Sequence, residues 1–235
     1  MTFEEYILNP SLNFATGEII LIDKPLKWTS FNAVSKIKYQ IKNHDSFIKN
    51  ELKIKPKVGH AGTLDPLATG LLIICTGKKT KEIETFQNQK KIYSGTFFLG
   101  ATTPCFDLEK EIDKTFPTAH ITGEQILYTA KKFIGKQEQV PPTFSAIWVN
   151  GKRAYELARE GVDIELKSRI IEIEDFIITK VEMPYVSFRI ICSKGTYIRS
   201  IARDFGLSLN SGAHLVELRR EAIGPFNVKE AITLN

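Results

Sequence analysis

Disulfide chemistry is the first thing this sequence does without. Its three cysteines, Cys75, Cys105 and Cys192, are odd in number and far apart, so no paired framework can be drawn from them. Cys75 (in LLIICTG) and Cys192 (in FRIICSKG) sit in apolar runs, where a free thiol behaves as a small hydrophobe. Such usage points to a reducing compartment. No Cys-x-x-Cys occurs, and His44, His60, His120 and His214 show no His-x-x-x-His spacing, so no metal site is expected. Pro104-Cys105 matches half of a zinc deaminase signature, but Leu108 stands where the second Cys belongs and no His-x-Glu precedes it, which excludes that reading. There is neither a P-loop nor a G-x-G-x-x-G after a strand, so no cofactor is expected and the chemistry falls to side chains. No apolar run is long enough to span a bilayer. Met1-Thr-Phe-Glu-Glu-Tyr6 is acidic, without the basic and apolar regions of a secretory signal. A cytoplasmic protein without membrane contact is expected.

The 235 residues suffice for one large domain or two small ones with a proper core. Hydrophobic content of 43% and charged content of 25% are those of a globular protein. A formal charge of +5 is mild; it is compatible with a polyanionic partner without demanding one.

Gly17 to Asp23 reads as a buried strand. After a Lys24-Pro25 turn, Thr29 or Ser30 can cap a helix through Phe31 to Ile41, whose apolar residues recur at three and four. A lysine-rich connector with Lys49, Lys53, Lys55 and Lys57 follows, read as solvated. Leu71 to Thr76 is a strand, Thr80 to Gln87 a short helix, and Lys91 to Leu99 a strand rich in β-branched and aromatic residues. Thr122-Gly-Glu-Gln125 is a capping box opening a helix to about Phe133. Arg153 to Arg159 is helical, stopped by Gly161. Strands at Ile170–Val181 and Val186–Ser193, a helix at Thr196–Leu209 and a strand at His214–Ile223 complete the pattern. Strands with short interspersed helices indicate α+β with a mixed, largely antiparallel sheet. With no linker visible, residues 1–235 are expected to form a single domain, or two lobes sharing a sheet.

The segment VGHAGTLDPLATG, Val58 to Gly70, concentrates the special-purpose residues. Gly permits positive φ and Pro fixes φ, so its backbone is bent to order around one acid, Asp65. An isolated Asp-Pro is often just a turn former. Here Gly59, His60, Gly62, Thr63 and Gly70 exceed what a turn requires, and a carboxylate held at the head of a buried strand is how a catalytic acid is presented. Other candidates are Asp23-Lys-Pro25 with Trp28-Thr-Ser30, Tyr93, the run Cys192 to Arg199, and Leu218-Arg-Arg220. Gly195 at a strand-to-helix corner favours an anion. Tyr197 and Arg199, two apart, do not face one way on a helix, so at least one lies on the bend. A surface Arg and a half-buried core Tyr are the plain alternatives for this pair.

GHAGTLDPLATG, with DKP before it and KIYSGTFFLG, PPTFSAIWVNGKRAYELAREG, SKGTYIRSIARDFG and GAHLVELRR after it in that order, resembles the bacterial TruB family of tRNA pseudouridine synthases from about Gly17 to Phe226. The resemblance implies the α+β pseudouridine synthase fold, with flanking helices and a central catalytic cleft. It implies an isomerase that converts the T-loop uridine of tRNA to pseudouridine without metal or cofactor, acting as a monomer on the T-arm stem-loop. Asp65 matches the catalytic aspartate. Tyr93 matches the tyrosine that stacks on the base and takes part in proton removal from C5, and Arg199 the arginine that pairs with the acid. Tyr197 and Leu218 match residues lining the uracil pocket, and His60 the histidine that meets the RNA where the base leaves the stack. Lys24 and Pro25 match a pair beneath the site, with Lys24 in reach of the substrate.

These residue types suit the reaction. The N1–C1′ bond breaks, the uracil turns, and C5 joins C1′, which requires a flipped-out base at a cost of about a few kcal/mol. An aromatic face returns roughly 1–3 kcal/mol per stacked base. An ionised Asp65 can attack C1′, attack C6 or take the 2′ proton; all three routes fit. Lys78, Lys79, Lys81, Lys90, Lys91, Lys152 and Arg153 are candidates for phosphate contacts. Three features depart from the family pattern. Trp148 stands where many relatives carry Lys, for stacking or packing. The acidic element after the Tyr93 strand reads Thr103-Pro-Cys-Phe-Asp107. The C-terminal PUA domain of many relatives is not expected here. The same chemistry in a guide-RNA particle and a catalytically idle RNA-binding module are the competing readings. The presence of Asp65, Tyr93 and Arg199 together opposes the second.

Overall fold

The computed structural model describes residues 1–42, 44, 57–149 and 151–234. Lys49, Lys53 and Lys55 of the expected connector lie outside the described residues; Lys57 is exposed. In chain order the strands are β1 (Ile19–Lys24), β2 (Val58–His60), β3 (Ala68–Thr76), β4 (Lys91–Leu99), β5 (Ala101–Thr102), β6 (Lys114–Thr115) and β7 (Gly135–Gln139). They continue as β8 (Trp148–Val149), β9 (Lys152–Arg153), β10 (Arg169–Glu182), β11 (Tyr185–Cys192), β12 (Ala213–Ile223), β13 (Phe226–Asn227) and β14 (Ile232–Thr233). Two compact units result, one from Met1–Tyr93 with Leu218–Asn235, the other from Ser94–Glu217.

The first unit has the strand order β14-β1-β3-β12, with β2 on β3 and β13 on β12. β1 and β3 are antiparallel, whereas β14 runs parallel to β1 and β12 parallel to β3. The helix Ser30–Ile41 starts where the sequence places it: Thr29 is the cap, its hydroxyl accepting from Asn32 N at 3.0 Å while Asn32 Oδ1 accepts from Thr29 N at 2.9 Å. That helix buries Ala33, Val34, Ile37 and Ile41 on a cluster holding Ile20, Ile22, Leu72 and Ile74. On the opposite face of β3, Leu71, Ile73 and Cys75 pack with Ala61, Phe86 and Ile223. Burial on both faces is why β3 reads as an unbroken apolar run rather than an alternating one.

β3 begins at Ala68, three residues before its apolar run. Ala68, Thr69 and Gly70 pair with Leu218, Arg219 and Arg220, and no local pattern announces a pairing so far along the chain. β2 likewise lies in what reads as loop; it pairs antiparallel with β3, His60 opposite Ile74. The expected helix at Thr80–Gln87 is a 3-10 turn, Gly77–Glu82, running into a short α-helix, Ile83–Asn88.

In the second unit the order is β12-β4-β11-β10-β7, with β10 antiparallel to both β11 and β7. Phe97, Phe133, Phe176, Phe188 and Phe205 form its aromatic core, Phe97 stacked on Phe188 at 4.2 Å. Thr122 caps the helix Gly123–Lys132 through the expected box, and the helix Ile198–Ser208 buries Ile198, Ile201, Ala202 and Phe205. The architecture is α+β with a mixed, mostly antiparallel sheet, as the sequence indicates. Cys75, Cys105 and Cys192 are buried, and none forms a disulfide among the described residues. Among the described residues no helix is long and apolar enough to cross a membrane.

Gly70 is held at φ +103°, and a Cβ there would lie 2.3 Å from the Arg220 carbonyl oxygen. Gly70→Ala is therefore expected to cost about 3 kcal/mol or more, from backbone strain and overpacking together. Thermal unfolding checks this against Gly123→Ala, where nothing lies within 4 Å. Equal melting points for the two variants would refute the packing argument.

Candidate active site

Asp65 lies half-buried on the connection between β2 and β3, and side chains from two distant segments, residues 24–30 and β12, fix the backbone around it. Before Asp65, Leu64 N donates to Ser30 Oγ at 2.8 Å, and the same hydroxyl donates to Leu64 O at 3.1 Å. After it, Pro66 O accepts from Lys27 N at 2.8 Å and from Lys24 Nζ at 3.5 Å. Lys24 Nζ also donates to Trp28 O at 2.6 Å and Pro25 O at 2.9 Å. The Asp65 carbonyl accepts from Ala68 N at 3.1 Å, closing the turn. From β12, Arg220 Nε donates to Leu71 O at 2.7 Å, Nη2 to Gly62 O at 3.1 Å and Nη1 to Thr63 O at 3.3 Å. The carboxylate is thus carried on a backbone with little freedom.

Positive charge underlies this loop. Lys24 is completely buried; desolvation pushes its ammonium down to about 8, the charge of Asp65 pulling it up and that of Arg220 pushing it further down. At neutral pH it remains charged. His60 is lowered chiefly by burial, with the Gly62 backbone opposing and Arg220 adding to the shift, so a neutral imidazole faces neutral solution. Its Nδ1 is buried without a hydrogen-bond partner among the described residues. Next to Arg220, Arg219 points the other way and grips Asp23 through two hydrogen bonds of 3.0 and 2.7 Å. The acid of the Asp23-Lys24-Pro25 motif is therefore committed to an arginine fork.

The first unit carries Asp65, His60, Lys24, Tyr93 and Leu218; the second carries Tyr197 and Arg199. Tyr93 is 8% exposed on β4. Leu218, half-buried, stands opposite Ala68. Tyr197 is the residue before the helix and Arg199 lies in its first turn, which resolves how two residues so close in sequence serve different directions. The Tyr197 backbone is clamped by Gln139, through bonds of 2.8 and 3.1 Å, and the Arg169 guanidinium lies 5.0 Å from its ring. Arg199 is buried, with Nε 3.6 Å from Asp107 Oδ2, Nη1 donating to Cys105 O at 3.2 Å and Nη2 to Phe144 O at 2.9 Å. The Thr103–Asp107 element, despite its altered sequence, supplies a buried acid to this arginine. Sequence reasoning noticed that Asp107 persists but gave it no task. It offered Ser30 only as a helix cap and gave Arg220 no task, although both sit in segments it singled out.

The expected phosphate-binding cations need revision. Lys91 is buried and donates to Gln87 O and Gln89 O at 2.5 and 2.7 Å, because the preceding helix ends beside it. It is no surface cation: the strand begins at Lys91, next to the carbonyls at the end of that helix. Lys79 pairs with Glu82 and Lys152 with Glu160, while Lys78, Lys81 and Lys90 are exposed. Trp148 is 61% exposed, with the Arg153 guanidinium 4.2 Å from its ring; it stacks rather than packs in a core. Among the described residues no cluster of His, Cys, Asp and Glu could hold a metal ion.

Lys24 generates a test. Its value near 8 in the fold lies below the ordinary 10.5, so between these values the unfolded chain holds more protons and stability contributed by this group rises with pH; below 8 it is flat. Melting curves of the parent and Lys24→Met from pH 7 to 10 should show the parent gaining ground above pH 8. A parent that loses ground there would show that burial does not depress Lys24.

Residues 49–198 match the family model described as TruB family pseudouridylate synthase (N terminal domain), and residues 199–235 that of the tRNA pseudouridylate synthase B C-terminal domain. A Flavobacterium johnsoniae protein named tRNA pseudouridine synthase B is 55% identical over 234 residues, covering 100% of this chain and 96% of the relative. Its namesake from Phocaeicola vulgatus is 53% identical over 224 residues, covering 95% and 92%. Among solved structures, a chain of a Cbf5-Nop10-Gar1 complex superposes with a TM-score of 0.67 at 28% identity over 94% of this chain and 53% of its own length. A chain of an H/ACA RNP bound to a substrate RNA containing 2′-deoxyuridine gives 0.64 at 26%, over 94% and 52%. The protein thus spans about half the length of those chains. Its mixed sheet with flanking helices is the pseudouridine synthase fold, and with family models and full-length relatives in agreement, the chain belongs to the TruB family of pseudouridylate synthases.

Proposed function

We propose that this protein isomerises uridine in tRNA to pseudouridine, and that its target is the T-loop uridine at position 55. Full-length similarity to proteins named tRNA pseudouridine synthase B carries this reading, and the pinned, half-buried Asp65 supports it. Residues 1–235 would work as one catalytic domain, as a monomer in the cytoplasm. The target nucleotide leaves the stack, and His60, uncharged at neutral pH, meets the RNA at the place vacated. Asp65 begins the chemistry as an ionised carboxylate; the N1–C1′ bond breaks, the uracil turns, and the C5–C1′ bond forms. Tyr93 supports the base by stacking and removes the C5 proton, which restores the C5–C6 double bond. N1, released from C1′ with the bonding pair, takes up a proton, so that the product is an isomer of the substrate. Tyr197 and Leu218 line the uracil site. Arg199 is assigned to catalysis with Asp65, and its pairing with Asp107 keeps its guanidinium in one orientation. Lys24 serves from beneath, where its ammonium holds the backbone next to Asp65.

The direct test is incubation with an unmodified tRNA transcript alone, followed by mapping of pseudouridine. Product confined to the T-loop uridine is expected. Binding without turnover, or turnover that requires an added guide RNA, would overturn the proposal. Asp65→Asn keeps the shape and removes the nucleophile, so turnover should vanish while tRNA affinity stays within a few-fold; measurable turnover by a clean preparation would remove Asp65 from its role. Tyr93→Phe should bind well and turn over very slowly. A near-parental rate would reduce the tyrosine to a stacking platform.

A further inference from the structure

We infer that Arg220 is a positioning residue of the Asp65 centre, acting with Ser30 to fix the carboxylate through the backbone on which it rides. The inference rests on the proposed activity and adds to it two side chains that the family motifs leave without a task. Arg220 is 1% exposed and Ser30 3%. A buried guanidinium ordinarily demands a carboxylate, because its desolvation is expensive. Yet Arg220 forms no ion pair among the described residues; its partners are the carbonyls of Gly62, Thr63 and Leu71. Two of these precede Asp65 and one follows it, so a single planar fork ties the entry and exit of the loop together.

The local backbone is shaped for this arrangement. Gly62 sits at φ +91°, and a Cβ there would point at Arg220 Nη1 from 3.8 Å. The neighbouring residue in β12, Arg219, has taken the nearby acid, Asp23. Arg220 is thereby left to the loop. Ser30 closes the remaining gap by bonding both the N–H and the C=O of Leu64, the residue directly before Asp65. Asp65 also lies within electrostatic reach of Lys24, which in turn feels Arg220. The loop therefore rests on two buried cations.

A misplacement of a reacting group by about 1 Å can cost on the order of 100-fold in rate. Arg220→Met, which removes charge and fork, is expected to lower kcat on a tRNA transcript by about that factor, with KM and tRNA affinity within threefold of the parent. Arg220→Lys restores the charge but not the fork and should recover part of the loss. Ser30→Ala should lower kcat about tenfold at unchanged KM, since one of several restraints is gone. Circular dichroism and melting curves verify folding of each variant. If Arg220→Met does not fold, Arg220→Lys and Ser30→Ala decide by the same kcat-against-KM criterion. Folded variants with parental kcat, or losses confined to KM, overturn the inference while leaving the functional reading in place. A parent inactive on tRNA sinks both.

Discussion

A parallel pairing three residues long, Leu218–Arg220 on Ala68–Gly70, is the constraint on which the Asp65 loop depends. It extends β3 back to the mouth of the loop and puts Leu218 beside the loop's exit. Because side chains of a strand alternate, it also sends Arg219 to Asp23 and Arg220 beneath the loop. The close approach is possible because Gly70 has no side chain. A register slip by one residue would exchange the two arginines, stranding one acid and delivering the wrong cation to the loop.

The charges are handled in two distinct ways. Exposed pairs such as Lys79–Glu82 and Lys180–Glu182 contribute little, since water screens them. Beneath the loop, cations are answered by backbone carbonyls instead. A carbonyl does not titrate, so acid cannot dissolve this clamp as it would a carboxylate pair. Arg199, by contrast, combines the carbonyls of Cys105 and Phe144 with a true acid, Asp107.

What could be read from the sequence was whatever is encoded locally. Thr29 and Thr122 announce their helices because a cap and its partner lie three residues apart. The Lys91–Leu99 strand is legible in its β-branched and aromatic residues, and Asp65 in the density of Gly and Pro around it. Contacts across long separations were not legible. Ser30 reaches Leu64 across 34 positions and Arg220 reaches Leu71 across 149; nothing near either residue hints at its partner. β7, GKQEQ, carries almost no apolar pattern, and its existence follows from pairing with β10. Lys91 misled for a related reason: a lysine is assumed to be at the surface, yet a helix ending beside it offers carbonyls that can take a buried ammonium.

The first unit is assembled from two separated pieces of chain, Met1–Tyr93 and Leu218–Asn235, and this has a consequence for the order of events during synthesis. The Asp65 segment leaves the ribosome early, but the strand that completes its setting follows only after all of Ser94–Glu217 has been made. At about 5–20 residues per second, the nascent protein carries its acid without Arg220 or the Leu218–Arg220 pairing for on the order of ten seconds. The second unit, continuous in sequence, can collect its aromatic core during that interval. Competence therefore comes last, and a truncated translation product would hold Asp65 on a loop bonded by Ser30 and Lys24 but not yet tied by Arg220.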